Sequence, residues 1–341
     1  MMKKSLIALA VMAASSSAFA GADVYGQVRM SVDRVDSSAA NADTTLVSDR
    51  VSRIGVKGSE DLGGGMSAVY GLEWGVNTDT ATGLSGSTTT GVASLVARNQ
   101  FVGLKGAFGT VLAGRHDAPY KLAGTADLFG DTAADAAGET STASATNANI
   151  IGRNGFDTRA AQTVAYVTPE VSGVHAAIAV IPGEETGADA ANGLADAWSA
   201  TIVYKNGPLN ASVSQQKYTK EFAANTTGAE DKSGTKFNIG YTMGDIKVGY
   251  TYESSDANYD AGGSKDKGQL GSVAYTMGPI TLAAQYGKFD DKNSTGDVTT
   301  TTVGVVYGLS KRTSTYVGYA DIDNQTAADG KVLTLGLNHA F

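Results

Sequence analysis

The residues able to make or break bonds are few and scattered. Cys is absent, which excludes disulfide frameworks, Cys-based zinc sites, iron–sulfur clusters and cysteine nucleophiles. His116, His175 and His339 lie far apart and lack metal-ligand spacing. No G-x-S-x-G elbow occurs, and Gly63-Gly64-Gly65 lacks the Lys-Ser/Thr of a nucleotide loop. Two groups of charges remain. The connector His116 to Asp157 carries Asp117, Asp127, Asp131, Asp135, Glu139 and Asp157 against Lys121 and Arg153. Arg29, Arg53 and Lys57 lie on the polar faces of alternating segments, with Arg98 and Arg115 in neighbouring ones. Opposed fixed charges hold a field and sort ions by sign. Neither a catalytic group, a cofactor nor a metal is implied.

These charges need a scaffold, and the chain has one pattern from end to end. Val24, Gly26, Val28, Met30 and Val32 alternate with Tyr25, Gln27, Arg29, Ser31 and Asp33. The same period of two runs through Met66 to Asn77, Ile246 to Glu253 and Val332 to Phe341. Such alternation marks strands with one apolar and one polar or small face. Gly is abundant, 43 of 341 residues, against a usual ~7%. It recurs in seven short connectors: Glu60–Gly65, Gly106–Gly109, Thr168–Gly173, Asn206–Pro208, Met243–Asp245, Met277–Pro279 and Gly308–Arg312. Eight long polar connectors lie between them: 33–51, 77–94, 116–157, 182–197, 219–234, 254–267, 290–297 and 321–330. Fifteen connectors join sixteen strands. Strands of about ten residues, tilted near 40°, span a bilayer core of roughly 25 Å. The expected fold is therefore all-β: a transmembrane antiparallel 16-stranded β-barrel. A soluble β-sandwich or solenoid also alternates, but rarely pairs short with long loops over 300 residues.

The first twenty residues read as an address. Lys3 and Lys4 precede the apolar run Leu6–Ala14, and Ala18-Phe19-Ala20 fits a cleavage site. Residues 1–20 are expected to be a cleaved signal peptide and residues 21–341 the barrel domain. Losing both lysines takes the net charge from −8 to −10, which argues against nucleic acid as a partner. Many of the 15 Tyr sit near strand ends, among them Tyr25, Tyr166, Tyr204, Tyr241, Tyr275, Tyr286, Tyr307 and Tyr316. Amphipathic rings favour the headgroup boundary.

Four blocks resemble a known family. Ser52-Arg53-Ile54-Gly55-Val56-Lys57-Gly58-Ser59-Glu60-Asp61-Leu62-Gly63-Gly64-Gly65 is similar to the second strand and turn of Gram-negative general porins of the Neisseria and Burkholderia type. Phe101–Gly106 with Gly109-Thr110-Val111 and Gly114-Arg115 resembles the fourth and fifth strands. Tyr166–Gly173 resembles the segment after the third loop, and Gly336–Phe341 the aromatic end. The family carries an Asn-Ser pair where this chain reads Gln162-Thr163.

The resemblance implies an outer-membrane homotrimer of sixteen-stranded barrels, each with its third loop folded inside. It implies constriction arginines at Arg53, Arg98 and Arg159. With Lys57, Arg115 and Arg29 these would form a basic wall. Asp117, Asp127, Asp131 and Asp135 of the loop would face it. A basic residue on the lipid face costs ~2–4 kcal/mol at the midplane, so Arg29, Arg53 and Lys57 are expected to face the lumen. The alternation leaves Arg98 ambiguous, because Gln100, Val102 and Leu104 share its parity. Phe341 would be read by the barrel-assembly machinery, and the outer surface would meet lipid and lipopolysaccharide.

The expected function is passive diffusion of ions and small hydrophilic solutes. The arginines favour anions and the acidic loops favour cations at the mouth. Charge at the narrowest point should outweigh charge in a wide, screened vestibule, so the expectation is weakly anionic. A substrate-specific anion or sugar channel and a plugged-barrel adhesin are the alternatives. An outer-membrane hydrolase would need a Ser–His pair, which the scattered His residues do not suggest.

Overall fold

The computed structural model describes residues 22–38, 43–79, 95–137, 149–183, 193–219, 231–256, 264–292, 296–325 and 328–341. The expected signal peptide lies outside them. The strands are β1 (Asp23–Ser37), β2 (Thr44–Asp49), β3 (Arg53–Gly63), β4 (Met66–Val76), β5 (Leu95–Gly106), β6 (Gly109–Asp117), β7 (Arg159–Val167), β8 (Val174–Ile181) and β9 (Ala197–Asn206). They continue with β10 (Leu209–Tyr218), β11 (Lys232–Met243), β12 (Ile246–Ser255), β13 (Asp266–Met277), β14 (Ile280–Asp290), β15 (Val298–Gly308), β16 (Thr313–Asn324) and β17 (Gly330–Ala340). One short helix, α1 (Pro119–Leu122), follows β6.

Apart from β2 and β3, successive strands pair antiparallel, and β1 pairs with β17, so the sheet closes on itself. Both β2 and β3 pair with β1, β2 along Met30–Val35 and β3 along Asp23–Gln27. They are two halves of one wall strand, broken at Arg50-Val51-Ser52. The barrel therefore has sixteen wall strands. Closure matters because an unpaired main-chain group in hydrocarbon costs several kcal/mol. The seam is completed by Phe341, whose N–H donates to Gly26 O at 3.1 Å while its O accepts from Gly26 N at 3.2 Å.

The usual order of burial is inverted. On β17, Leu333, Leu335 and Leu337 are half exposed, while Val332 and Thr334, of the other parity, are fully buried. Val24, Val28 and Val32 on β1 are likewise exposed, and Gln27, Ser31 and Asp33 are buried. The outer face is aliphatic, and the polar groups line the inside. Short turns join the strands at one end, with Gly207, Gly244 and Gly278 near φ +55° where a two-residue turn demands it.

The strands run further into the polar segments than their composition suggests. β1 extends to Ser37 and β2 begins at Thr44, so much of the expected connector 33–51 is wall. Likewise β16 continues to Asn324, with Asp321 paired to Lys331. Charged strand residues mimic loop composition here: Asp33 faces inward, whereas Asp321 and Lys331 are exposed on the outer face. Tyr25 and Tyr316 also turn inward rather than joining the aromatic belt: Tyr25 OH donates to Glu73 Oε2 at 3.2 Å, and Tyr316 is 8% exposed. Tyr241, Tyr275, Tyr286 and Tyr307 are exposed on the outside.

Leu335 sits mid-strand on the outer face. Leu335→Arg is expected to lower unfolding stability in lipid vesicles by ~2–4 kcal/mol. An unchanged urea midpoint would mean that this face does not meet hydrocarbon.

Candidate functional site

The segment between β6 and β7 crosses the inside of the barrel. It leaves the wall through α1, and Tyr120 N donates to Ser199 Oγ of β9 at 2.9 Å. Ala126 N then donates to Thr251 Oγ1 (2.7 Å, β12) and Leu128 N to Gln285 Oε1 (3.0 Å, β14). Phe129, Ile150 and Ile151 join Leu270, Phe289 and Val298 of the wall in one buried apolar cluster. Wall glycines make room for this approach. A Cβ on Gly268 would lie 2.2 Å from Ile150 O, and one on Gly304 2.5 Å from the Phe129 ring. The loop thus docks on the half of the barrel formed by β9 to β16, and its tip points at the other half.

There the tip meets arginines. Arg29 of β1 places Nη1 2.8 Å from Asp131 Oδ2 and donates to Gly130 O at 3.3 Å. Arg53 of β3 lies 3.9 Å from Asp131 Oδ2 and 3.9 Å from Glu73 Oε2. Arg98 of β5 bonds Glu73 Oε1 at 2.7 Å. Arg159 of β7 has Nη2 2.9 Å from Asp117 Oδ1 and donates from Nε to Asn99 Oδ1 at 3.1 Å. Arg50, at the break between β2 and β3, is buried with Asp33 and donates to Ser31 Oγ at 2.9 Å. Each carboxylate offsets part of the cost of holding these cations close together. Asp131 stays 40% exposed.

Local backbone irregularity assembles this group. Gln27 pairs with Arg53 but Met30 with Asp49, so three steps on β1 face four on its neighbour. Val51 takes up the extra residue at φ +60°. Between β4 and β5 the register moves from Leu72↔Gln100 to Trp74↔Ala97. Between β6 and β7 it moves from Gly114↔Thr163 to His116↔Ala160, with Gln162 at φ +56°. A bulge adds a residue and reverses the in–out alternation. Arg50 and Arg53, three apart, can therefore both face inward. Arg98 reaches Glu73 although Val102 and Leu104, of its own parity, are exposed. A left-handed non-glycine residue costs ~1–3 kcal/mol, and the two in this wall both sit beside the arginines.

Several residues are placed differently from the expectation. Lys57 lies 5.1 Å from the Tyr25 ring centre, further along β3 than the arginine cluster. Arg115 shares the parity of exposed Val111 and donates to Ala97 O at 3.1 Å. Among the described residues it forms no ion pair with the loop. Asp117 ends strand β6 and belongs to the wall, not to the loop face. Asp127 and Asp135 serve the loop's own backbone. Asp127 Oδ1 accepts from Phe129 N at 2.8 Å, and Asp135 Oδ1 from Ala137 N at 2.8 Å. These are Asx turns, each reaching two residues on. Of the four acids only Asp131 meets the arginines from the loop. Sequence reasoning passed over Arg50 and Asp33, hidden in an expected connector, and Glu73, whose inward parity was the available signal.

A scan of family models matches residues 5–327 to the Gram-negative porin family. The chain belongs to that family. Outer membrane porin protein 32 of Delftia acidovorans is 32% identical, over 98% of this chain and 92% of its own. Major outer membrane protein P.IB of Neisseria gonorrhoeae is 29% identical over the whole of both chains. Among solved structures, an anion-selective porin from Comamonas acidovorans superposes with a TM-score of 0.76 at 23% identity, covering 95% of this porin and 100% of that chain. The last comparison speaks to the fold alone.

Two outcomes follow for this porin. Glu73→Gln removes one carboxylate from between Arg53 and Arg98. One unit charge about 7 Å from a passing ion is worth ~0.6 kcal/mol in water, with opposite sign for the two ions, so the chloride-to-potassium permeability ratio should rise about sevenfold, read as a reversal potential in a salt gradient. The second concerns pH. Burial and the adjacent Asp127 carboxylate push the Asp135 carboxyl well above its usual range. The folded tip therefore binds that proton more tightly than the unfolded chain, and its stability falls as pH rises through the raised value. Open-channel noise should be lowest in acid and grow with pH over that window. Noise growing towards acid would contradict this assignment.

Proposed function

We propose that this porin is a water-filled diffusion channel for ions and small hydrophilic solutes in the Gram-negative outer membrane, with a weak preference for anions. The observation that carries the reading is Asp131 of the loop set against Arg29 and Arg53 of the wall. Fixed charges of opposite sign across a narrow aqueous gap make a transverse field. Water and dipolar solutes align with it, whereas apolar solutes lose hydration and gain nothing in exchange.

The sign of the preference follows from the local charge. Arg29, Arg50, Arg53, Arg98 and Arg159 face Asp33, Glu73, Asp117 and Asp131. Five cations against four anions leave one positive charge at the site. The name of the Comamonas protein, an anion-selective porin, is in line with this. The negative net charge of the chain acts mostly from wider, better screened places.

The working unit is a homotrimer. The outer faces of β11 to β16 carry Tyr241, Tyr250, Tyr275, Tyr286, Tyr307 and Tyr319, the ring type that suits a lipid boundary. The outer faces of β1 to β5 are lined instead by Val24, Val28, Val32, Ile54, Val102 and Leu104. Those small aliphatic side chains suit close packing against a second copy. Residues 1–20 direct export and are removed before Gly21. Phe341 serves recognition by the barrel-assembly machinery.

Planar-bilayer recording under a potassium chloride gradient tests the reading. Purified protein should insert with conductance steps in threes and a reversal potential of anion sign. Arg29→Gln with Arg53→Gln takes the local balance from +1 to −1 and should reverse that sign. Folded protein without conductance would refute the channel, and an unchanged potential in the double variant would refute the role given to the arginines.

A further inference from the structure

A second charged cluster holds the loop at its root. Lys236 of β11 and Glu253 of β12 stand directly opposite in register, and both are buried on the inner face. Lys236 Nζ lies 3.4 Å from Asp157 Oδ1 and 4.5 Å from the centre of the Tyr120 ring. Glu253 Oε2 accepts from Tyr120 OH at 2.9 Å, and its Oε1 accepts from Gly152 N at 3.0 Å. Lys121 closes the group, donating to Asp157 O at 2.9 Å with Asp157 Oδ2 3.5 Å away.

The arrangement ties together the two legs of the loop. Tyr120 and Lys121 belong to the outgoing leg, Gly152 and Asp157 to the returning one. One lysine–glutamate pair on the wall grips both. Two cations and two carboxylates balance, so the cluster adds no net charge to the passage. Phe156 packs on Tyr120 and Tyr218 beside it, and excludes water from the ion pair. Breaking one partner of such a buried pair leaves the other charge uncompensated.

We infer that Lys236 is a positioning residue of the channel: with Glu253 it clamps both legs of the loop, and so sets how closely Asp131 approaches Arg29 and Arg53. The inference rests on reading the loop as the constriction. It assigns control of the aperture to a side chain that no permeating solute needs to touch.

Lys236→Met, with Lys236→Arg as the conservative companion, tests it in planar bilayers. Lys236→Met should raise single-channel conductance about 1.5-fold, increase open-channel noise and reduce the anion preference, because an unpaired buried carboxylate drives the loop root off the wall. Lys236→Arg should behave as the unmodified porin. A general loss of stability would instead lower the yield of inserted channels and leave the conductance of each one unchanged. Lys236→Met channels with unmodified conductance, noise and reversal potential would overturn the inference. If Lys236→Met does not fold, Tyr120→Phe decides, since it removes only the bond to Glu253. It should move conductance the same way by less, and an unchanged channel would again overturn the clamp. Failure of the unmodified protein to conduct would sink the channel reading itself, and is distinguishable from either result.

Discussion

A peptide group in hydrocarbon has no water to bond, and this constraint shapes everything else in the molecule. It forces the sheet to close through β1 and β17 and places aliphatic side chains outward. Once the outside is committed to lipid, the inside must carry the polar groups, and a sixteen-strand wall leaves a wide interior. The described part of the segment after β6 lies in that interior and shares an apolar cluster with the wall. The loop tip is thereby set against β1 and β3, where Arg29 and Arg53 stand.

The arginine wall departs from the regularity that the membrane imposes. Strict alternation would allow one inward residue in two, too sparse for guanidiniums and their carboxylates to interlock. Register slips at Val51, beside Arg98 and at Gln162 raise that density locally. They also confine the disturbance, because pairing resumes on both sides of each slip. The strands therefore keep their aliphatic face to lipid above and below the site, while the polar face is re-aimed only where charge is needed.

Strand number, antiparallel order and the short turns were legible in the sequence, since each has a local signature: period two, or Gly with Asn, Asp or Pro. The extent of the strands was less so. Asp33 and Lys331 look like loop residues, and only the presence of Arg50 and Asp321 across the sheet makes them wall. The bulges left no compositional trace, and with them went Arg50 and the direction of Arg98. The loop acids were misassigned for a different reason. A carboxylate can face a cation or cap a nearby N–H, and Asp127 and Asp135 do the second. An N–H two positions on, that of Phe129 or Ala137, is compatible with either use. Glu73 was readable from parity alone, but a single acid on a polar face carries no mark of the three groups that gather round it.

The apolar contact beneath the loop has a thermal consequence. Phe129, Ile150 and Ile151 are held to Leu270, Phe289 and Val298 by exclusion of water, a force that weakens on cooling. The arginine–carboxylate pairs at the tip have no such dependence on hydrocarbon hydration. Cooling therefore loosens the docked side of the loop while its charged side stays engaged, and the balance between the two attachments shifts with the temperature of the medium.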